Sequence, residues 1–220
     1  MAQRPKNPEP RPLPRLYLVT PAIADASAFA PTLQAALGAS DVAAVLLRLA
    51  DADERTQINR IKVLAPVAQA AGAALLIDGN VSLVARSGAD GSHVAGTDNA
   101  GDAFEALKPD WVVGVGGVTS RHDAMTAAEG GCDYVMFGEV DADNRRAPFD
   151  AICERVSWWA EVFETPCVGY AASIDEVTPL IEAGADFIAV GYEADDWIWR
   201  DPARAIAALA PRMTLPEAAL

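Results

Sequence analysis

The stretch Gly184-Ala185-Asp186-Phe187-Ile188-Ala189-Val190-Gly191 decides the fold, because it recurs upstream. Gly88-Ala89-Asp90-Gly91 leads into Ser92-His93-Val94, and Gly131-Cys132-Asp133 leads into Tyr134-Val135-Met136-Phe137-Gly138. A weaker copy, Gly38-Ala39-Ser40-Asp41, opens Val42-Ala43-Ala44-Val45-Leu46-Leu47. In each copy an Ala-rich helical pattern ends at glycine, the residue that takes a left-handed cap without steric cost. A tight turn then enters a short apolar run, as expected of a strand buried on both faces. Between the copies lie Leu16–Val19, Ala74–Ile77, Trp111–Val115 and Cys167–Gly169, which brings the count to eight strands alternating with helices. The copies are on the order of 40–50 residues apart, and each unit reads strand-helix-strand-helix. The expected fold is α/β, a single (β/α)8 TIM barrel built from four such quarters.

Composition narrows the function classes. Lys and Arg number 17 against 31 Asp and Glu, a net charge of −14, which argues against general nucleic-acid binding and against anionic membrane surfaces. No apolar run approaches the roughly 20 residues that span a bilayer. Met1–Arg15 is rich in Pro and Arg and lacks the apolar core of a signal peptide, so a cytoplasmic protein is expected. Residues 1–14 read as a disordered or loosely docked extension, 15–210 as the barrel and 211–220 as a tail. Cys132, Cys153 and Cys167 are odd in number and scattered, the pattern of reduced, buried thiols. The segment after strand 6 carries Ile152, Val156, Trp158, Trp159, Val162 and Phe163, a heavy apolar load that points to a subunit contact and a homo-oligomer, such as a dimer.

In such barrels chemistry sits on the loops that follow strand C-termini. Those positions here include Thr20, Arg48, Asp78, Asn80, His93, Asp98, Gly116, Gly138, Glu139, Tyr170 and Glu193. Arg48 can bind phosphate or carboxylate, or sit in a buried pair with Asp51 or Glu193. Asp78 and Asp98 suit one Mg²⁺, which accepts modest carboxylate ligation; the alternatives are a turn aspartate and a helix-capping aspartate. His93 stands where a general base could work, or is hydrogen-bonded within the mouth. Arg145 and Arg146 read as loop cations that meet a ligand, or as a solvated tip. Trp197 and Trp199 either floor a ring-binding pocket or pack on the rim. His122 falls on a surface helix face, and Gly114-Val115-Gly116-Gly117 is only a weak likeness of a phosphate loop.

The order of the motifs Arg15–Thr20 (RLYLVT), Leu75–Asp78 (LLID), Gly88–His93 (GADGSH), Asp133–Gly138 (DYVMFG) and Gly184–Val190 (GADFIAV) resembles thiamin-phosphate synthase and its thiazole-tautomerase relatives, over about residues 15 to 210. The resemblance implies coupling of hydroxymethylpyrimidine pyrophosphate to thiazole phosphate, with pyrophosphate released and Mg²⁺ held by aspartates. It implies Arg48 as a catalytic and substrate-binding residue and Asp98, with Asp78 in place of a missing acid, as metal ligands; their positions at strand ends and in the loops add His93 as a catalytic residue and Asn80, Arg145, Arg146, Tyr170 and Gly191 as contacts to a small phosphorylated substrate. Several family positions differ here. Leu46 and Ala50 stand for a glutamine and a lysine beside Arg48, and Asp78-Gly79 for an Asn-Asp pair. Gly116 stands for a serine, and Val118 for the tautomerase histidine. Asp141–Arg146 replaces a Thr-x-Thr-Lys segment, Ala171-Ala172 replaces a Gly-Gly, and Glu193, Asp195 and Asp196 make the strand 8 loop acidic. These departures open a second reading, a catalytically inactive barrel that binds or regulates.

Overall fold

The computed structural model describes residues 12–140, 145–192 and 197–213. Eight parallel strands close into one barrel in sequence order: β1 (Arg15–Val19), β2 (Val42–Leu47), β3 (Ala74–Asp78), β4 (Gly91–Ala95), β5 (Val112–Gly116), β6 (Tyr134–Phe137), β7 (Cys167–Tyr170) and β8 (Phe187–Val190). The helices that follow them are α1 (Ala26–Leu37), α2 (Glu54–Ala70), α3 (Val84–Ser87), α4 (Thr97–Leu107), α5 (Arg121–Glu129), α6 (Phe149–Val162), α7 (Val177–Glu182) and α8 (Pro202–Leu209). The (β/α)8 barrel expected from the repeats is the fold observed.

The aspartate of the repeat explains why the repeat exists. Asp90, just before β4, donates its backbone N–H to Leu75 O (2.8 Å) and accepts the Leu75 N–H on its carboxylate (2.7 Å). Asp133 makes the same pair of bonds with Val113, and Asp186 makes it with Cys167. One residue thus satisfies both backbone groups at the entry of the preceding strand, groups that would otherwise be left without partners at the barrel floor. In the first quarter Asp41 is instead held by the Arg15 guanidinium through two contacts, 2.8 and 2.9 Å. The glycine ahead of the aspartate is left-handed at Gly88, Gly131 and Gly184 (φ 85°, 96° and 98°). Gly38 departs from the expected cap: its φ is −75°, a right-handed helical value, so the weaker copy ends its helix differently.

Side chains alternate between two apolar compartments. Tyr17, Val19, Leu46, Leu76, Tyr134, Met136, Val168 and Tyr170 fill the barrel interior. Leu16, Leu18, Val45, Leu75, Val113, Val135 and Ile188 face the helices. In α2 the expected face Ile58, Ile61, Leu64 and Ala65 is buried, and Asp53 caps the helix by accepting the Thr56 N–H. The interior of α6 takes up much of its apolar load. Ile152, Val156 and Trp159 are buried, Trp159 stacks on Phe163 at 4.1 Å, and Val162 is left 61 % exposed. The expected strand ends shift by one residue at β5 and β7. β7 begins at Cys167 as expected and runs one residue further, to Tyr170. The three cysteines are free thiols; Cys132 and Cys167 are buried, and burial pushes the Cys132 thiol up to about 11. The extension and the tail fall largely on residues 1–11 and 214–220, outside the described residues.

Replacing Asp186 with Ala removes a charged acceptor from the Cys167 N–H and is expected to cost about 1.5–3 kcal/mol. Urea unfolding would read this as a lower midpoint at unchanged m, and Asp133→Ala is expected to behave alike.

Candidate active site

The mouth of the barrel holds two polar groupings. The first joins β2 and β3. Thr20 Oγ1 accepts the Arg48 backbone N–H at 3.0 Å and so fixes where this arginine leaves β2. Its guanidinium lies 3.4 Å from the Asp78 carboxylate, donates to Tyr192 O at 2.7 Å and stacks 3.9 Å above the Tyr192 ring. Asp78 therefore joins the pairing that the sequence assigned to Asp51 or Glu193; Glu193 itself lies outside the described residues. Enclosure in the mouth raises the Asp78 carboxyl above the usual range even though 41 % of its side chain stays accessible, and His93 and Arg48 oppose that rise. Arg48, Asp78 and Asn80 share a cleft of about 150 Å³. The Asn80 side chain accepts a bond from Ser82, which orients it at the rim.

The second grouping crosses the barrel. Glu139, just past β6, bonds His93 Nε2 at 3.1 Å; His93 Nδ1 bonds Tyr134 Oη at 3.0 Å; Tyr134 and Tyr17 share a 2.7 Å hydrogen bond. His93 and both tyrosines are buried. Burial works to lower the His93 pKa, but the charge and hydrogen bond of Glu139, with the charge of Asp78 behind them, raise it overall. When the ring is protonated both nitrogens donate, so that Tyr134 Oη accepts from Nδ1 and its own hydrogen is left for Tyr17. Burial raises both tyrosine pKa values, so these hydroxyls stay neutral.

The glycines of β5 make this chain of side chains fit. A Cβ on Gly114 would lie 1.9 Å from the Tyr134 ring, and one on Gly116 would lie 1.8 Å from Glu139 Oε2 and 2.5 Å from His93 Nε2. Gly117 adds its N–H to Glu139 Oε2 at 3.0 Å. The Gly114–Gly117 run is thus clearance and a single amide donor for Glu139. Sequence reasoning placed Glu139 at a strand end without a role and left Tyr17 and Tyr134 out of the site. The available signal was a tyrosine in each of two apolar strands, since a buried hydroxyl requires a partner.

The remaining candidates are spread around the rim. Asp98 lies exposed in the first turn of α4, whose cap is Gly96, so it is not the capping residue. Arg146 is no solvated tip. It forms two 2.8 Å contacts with Glu176 and donates to the carbonyls of Gly138 and Tyr170, tying the β6 loop to β7. Arg145 is exposed and lines a pocket of about 230 Å³ with Gly117, Glu139 and Arg155. Tyr170 is buried inside the barrel, edge-on to Tyr192. Gly191 accepts the Trp199 indole N–H at 2.7 Å, and a Cβ there would lie 2.6 Å from that nitrogen. Trp199 is therefore packing at the β8–β1 seam. His122 is exposed on α5, as expected. Asp141, Asp143, Asn144, Asp195 and Asp196 lie outside the described residues. Among the described residues no group of three or more His, Cys, Asp or Glu converges as a metal site.

Comparison with known proteins gives this geometry a context. The family model described as thiamine monophosphate synthase matches residues 16–193. Thiamine-phosphate synthase of Rhodospirillum centenum is 43 % identical over 199 residues, covering 89 % of this chain and 94 % of its own. The protein of the same name from Hyphomonas neptunium is 37 % identical over 190 residues, with 83 % and 86 % covered. Thiamine phosphate pyrophosphorylase from Pyrococcus furiosus superposes with a TM-score of 0.74 at 22 % identity, over 94 % of this chain and 96 % of that one. A 3-hexulose-6-phosphate synthase superposes at 0.67 with 15 % identity, over 90 % and 100 %. At such identities the structural likeness speaks for the fold.

Two measurements test the buried chain. The His93 pKa is raised in the folded state above the ordinary 6.5, so its stabilisation is complete below about pH 6.5 and lost as pH rises through the folded value. The urea midpoint is expected to fall over that rise, and His93→Gln to flatten the slope. Gly116→Ala, which drives a methyl into Glu139 and His93, is expected to cost about 1–3 kcal/mol in the same assay.

Proposed function

The chain belongs to the thiamine monophosphate synthase family, and from that premise we propose that it couples hydroxymethylpyrimidine pyrophosphate to a thiazole phosphate, releasing pyrophosphate. The observation that carries the reading is the 43 % identity to a thiamine-phosphate synthase along 89 % of the chain. An inactive barrel gains no comparable support. The residues that differ from the family pattern are met by other charges at the mouth: arginines line the β6 side and an Arg48–Asp78 pair lies at β2–β3.

In this reading the bond from the pyrimidine methylene carbon to pyrophosphate breaks as the carbon–nitrogen bond to the thiazole forms. Arg48, held by Thr20 and Tyr192, meets the negative charge that grows on the leaving oxygens, where a fixed donor is most effective. Asp78 ends β3 and Asp98 lies in the first turn of α4, just past the adjacent strand β4; two carboxylates with substrate phosphate oxygens would form a donor set that suits Mg²⁺. Bound there, the ion would supply charge neutralisation for the pyrophosphate. Asn80 extends the same cleft as a neutral hydrogen-bonding group. His93, sealed beneath Glu139, acts through that carboxylate and does not itself touch substrate. The protein is proposed to work in the cytoplasm, consistent with the finding that no described helix is long and apolar enough to cross a membrane. A second copy is proposed to cover the exposed edge of α6 around Val162.

Incubating the purified protein with both substrates and Mg²⁺ is expected to yield thiamin phosphate; no product at any Mg²⁺ concentration refutes the reading. Arg48→Ala and Asp98→Ala are each expected to lower kcat/KM by about 10²-fold or more, with thermal midpoints little changed.

A further inference from the structure

In the outer layer of the barrel, a cavity of about 230 Å³ lies between the turn Ile174–Glu176, which leads into α7, and the start of α8. Ile174, Trp197, Arg200, Arg204, Ala205 and Ala208 line it, and none of them lines either cleft of the mouth. Ile174, Trp197 and Ala205 are half-buried and pack against the core, which leaves the cavity an apolar wall. Trp197, expected to floor a ring-binding pocket or to pack on the rim, thus faces a pocket on the flank. Its indole nitrogen is buried and has no hydrogen-bond partner among the described residues. A buried donor without an acceptor is destabilising, so a wall that keeps one is incomplete as it stands.

The same cavity carries two cations. Arg200 and Arg204 are exposed, and neither guanidinium forms a hydrogen bond or ion pair among the described residues. The carboxylates of the surrounding segments are committed elsewhere. Asp201 caps α8 by accepting the Arg204 backbone N–H at 3.4 Å, Asp175 lies 3.8 Å from Arg212, and Glu176 is forked with Arg146. Two unpaired guanidiniums beside an apolar wall suit a planar anionic head on a compact hydrophobic body. The volume falls below the usual range for drug-sized ligands, which limits the guest to about one ring. We propose that this cavity is a second binding site, outside the barrel mouth, for a small aromatic carboxylate. The carboxylate pairs with Arg200 and Arg204, and the ring lies against Trp197, Ile174 and Ala205. Nothing in this site depends on the synthase reading.

Benzoate is the probe. In proton–nitrogen correlation spectra of the full-length protein, the Trp197 indole resonance is identified by its loss in Trp197→Phe. It is expected to move saturably with benzoate, at a Kd of about 1 mM or below. Arg204→Met is expected to weaken benzoate by about fivefold or more, because one of the two charged donors is lost. Ala208→Trp, on an exposed side of α8, is expected to fill the cavity and abolish the movement. Benzyl alcohol has the ring without the charge and inorganic phosphate the charge without the ring; each is expected to bind about tenfold more weakly. An indole resonance unmoved up to about 20 mM benzoate overturns the proposal. So does either variant binding like wild type, or either control ligand binding as well as benzoate. Should Ala208→Trp fail to fold, Arg204→Met and the two control ligands decide alone. The coupled reaction is a separate readout: absence of thiamin phosphate refutes the synthase and leaves this site standing.

Discussion

Each of three aspartates, Asp90, Asp133 and Asp186, holds both backbone groups of one residue at the entry of the preceding strand, and the rest of the barrel depends on that clamp. A parallel strand entering at the barrel floor has an N–H and a C=O that neither neighbour fully reaches. The clamp satisfies them within the protein, and does so at the same height in three of the four quarters. Strand register is therefore set from the floor, and the C-terminal loops are free to carry side chains that do not serve stability.

What those loops carry is shaped by volume as much as by charge. The interior holds Tyr17, Tyr134 and His93 side by side, and β5 makes way with Gly114, which pairs with His93 on β4 and Tyr134 on β6, and with Gly116. The vacated space lets Glu139 reach inward to His93 while one edge of its carboxylate faces outward. A buried carboxylate is costly unless it is paired, and here the histidine and one backbone amide provide the pairing. The buried polar chain thus fixes the orientation of one charged group at the mouth.

The chain carries a net charge of −14, yet its β6–β7 rim gathers Arg145, Arg146 and Arg155. Their roles differ by environment. Arg146 is spent on architecture, joining two loops through Glu176; Arg155 faces open space. Total charge describes the surface as a whole, while local arrangement decides where an anion can rest.

The sequence by itself determined the barrel, because a floor clamp needs the same Gly-x-Asp ahead of an apolar run in successive quarters, and that spacing is local and repeated. It also determined that Arg48, Asp78 and Asn80 stand at or just past strand ends, since β-strand length fixes where each run stops; His93, expected at the end of its strand, lies in the middle of β4. Only the tertiary structure decided which of them meet. Asp78 faces Arg48 and not a neighbour in sequence, and His93 finds Tyr134 and Glu139 from 41 and 46 residues away. It also revealed that Gly116 is clearance for a carboxylate and that Arg146 is structural where Arg155 is open. Pairings across a closed barrel are set by how strands turn round the axis and by which side chains leave room for others. That information is held in three dimensions and leaves no periodic trace along the chain.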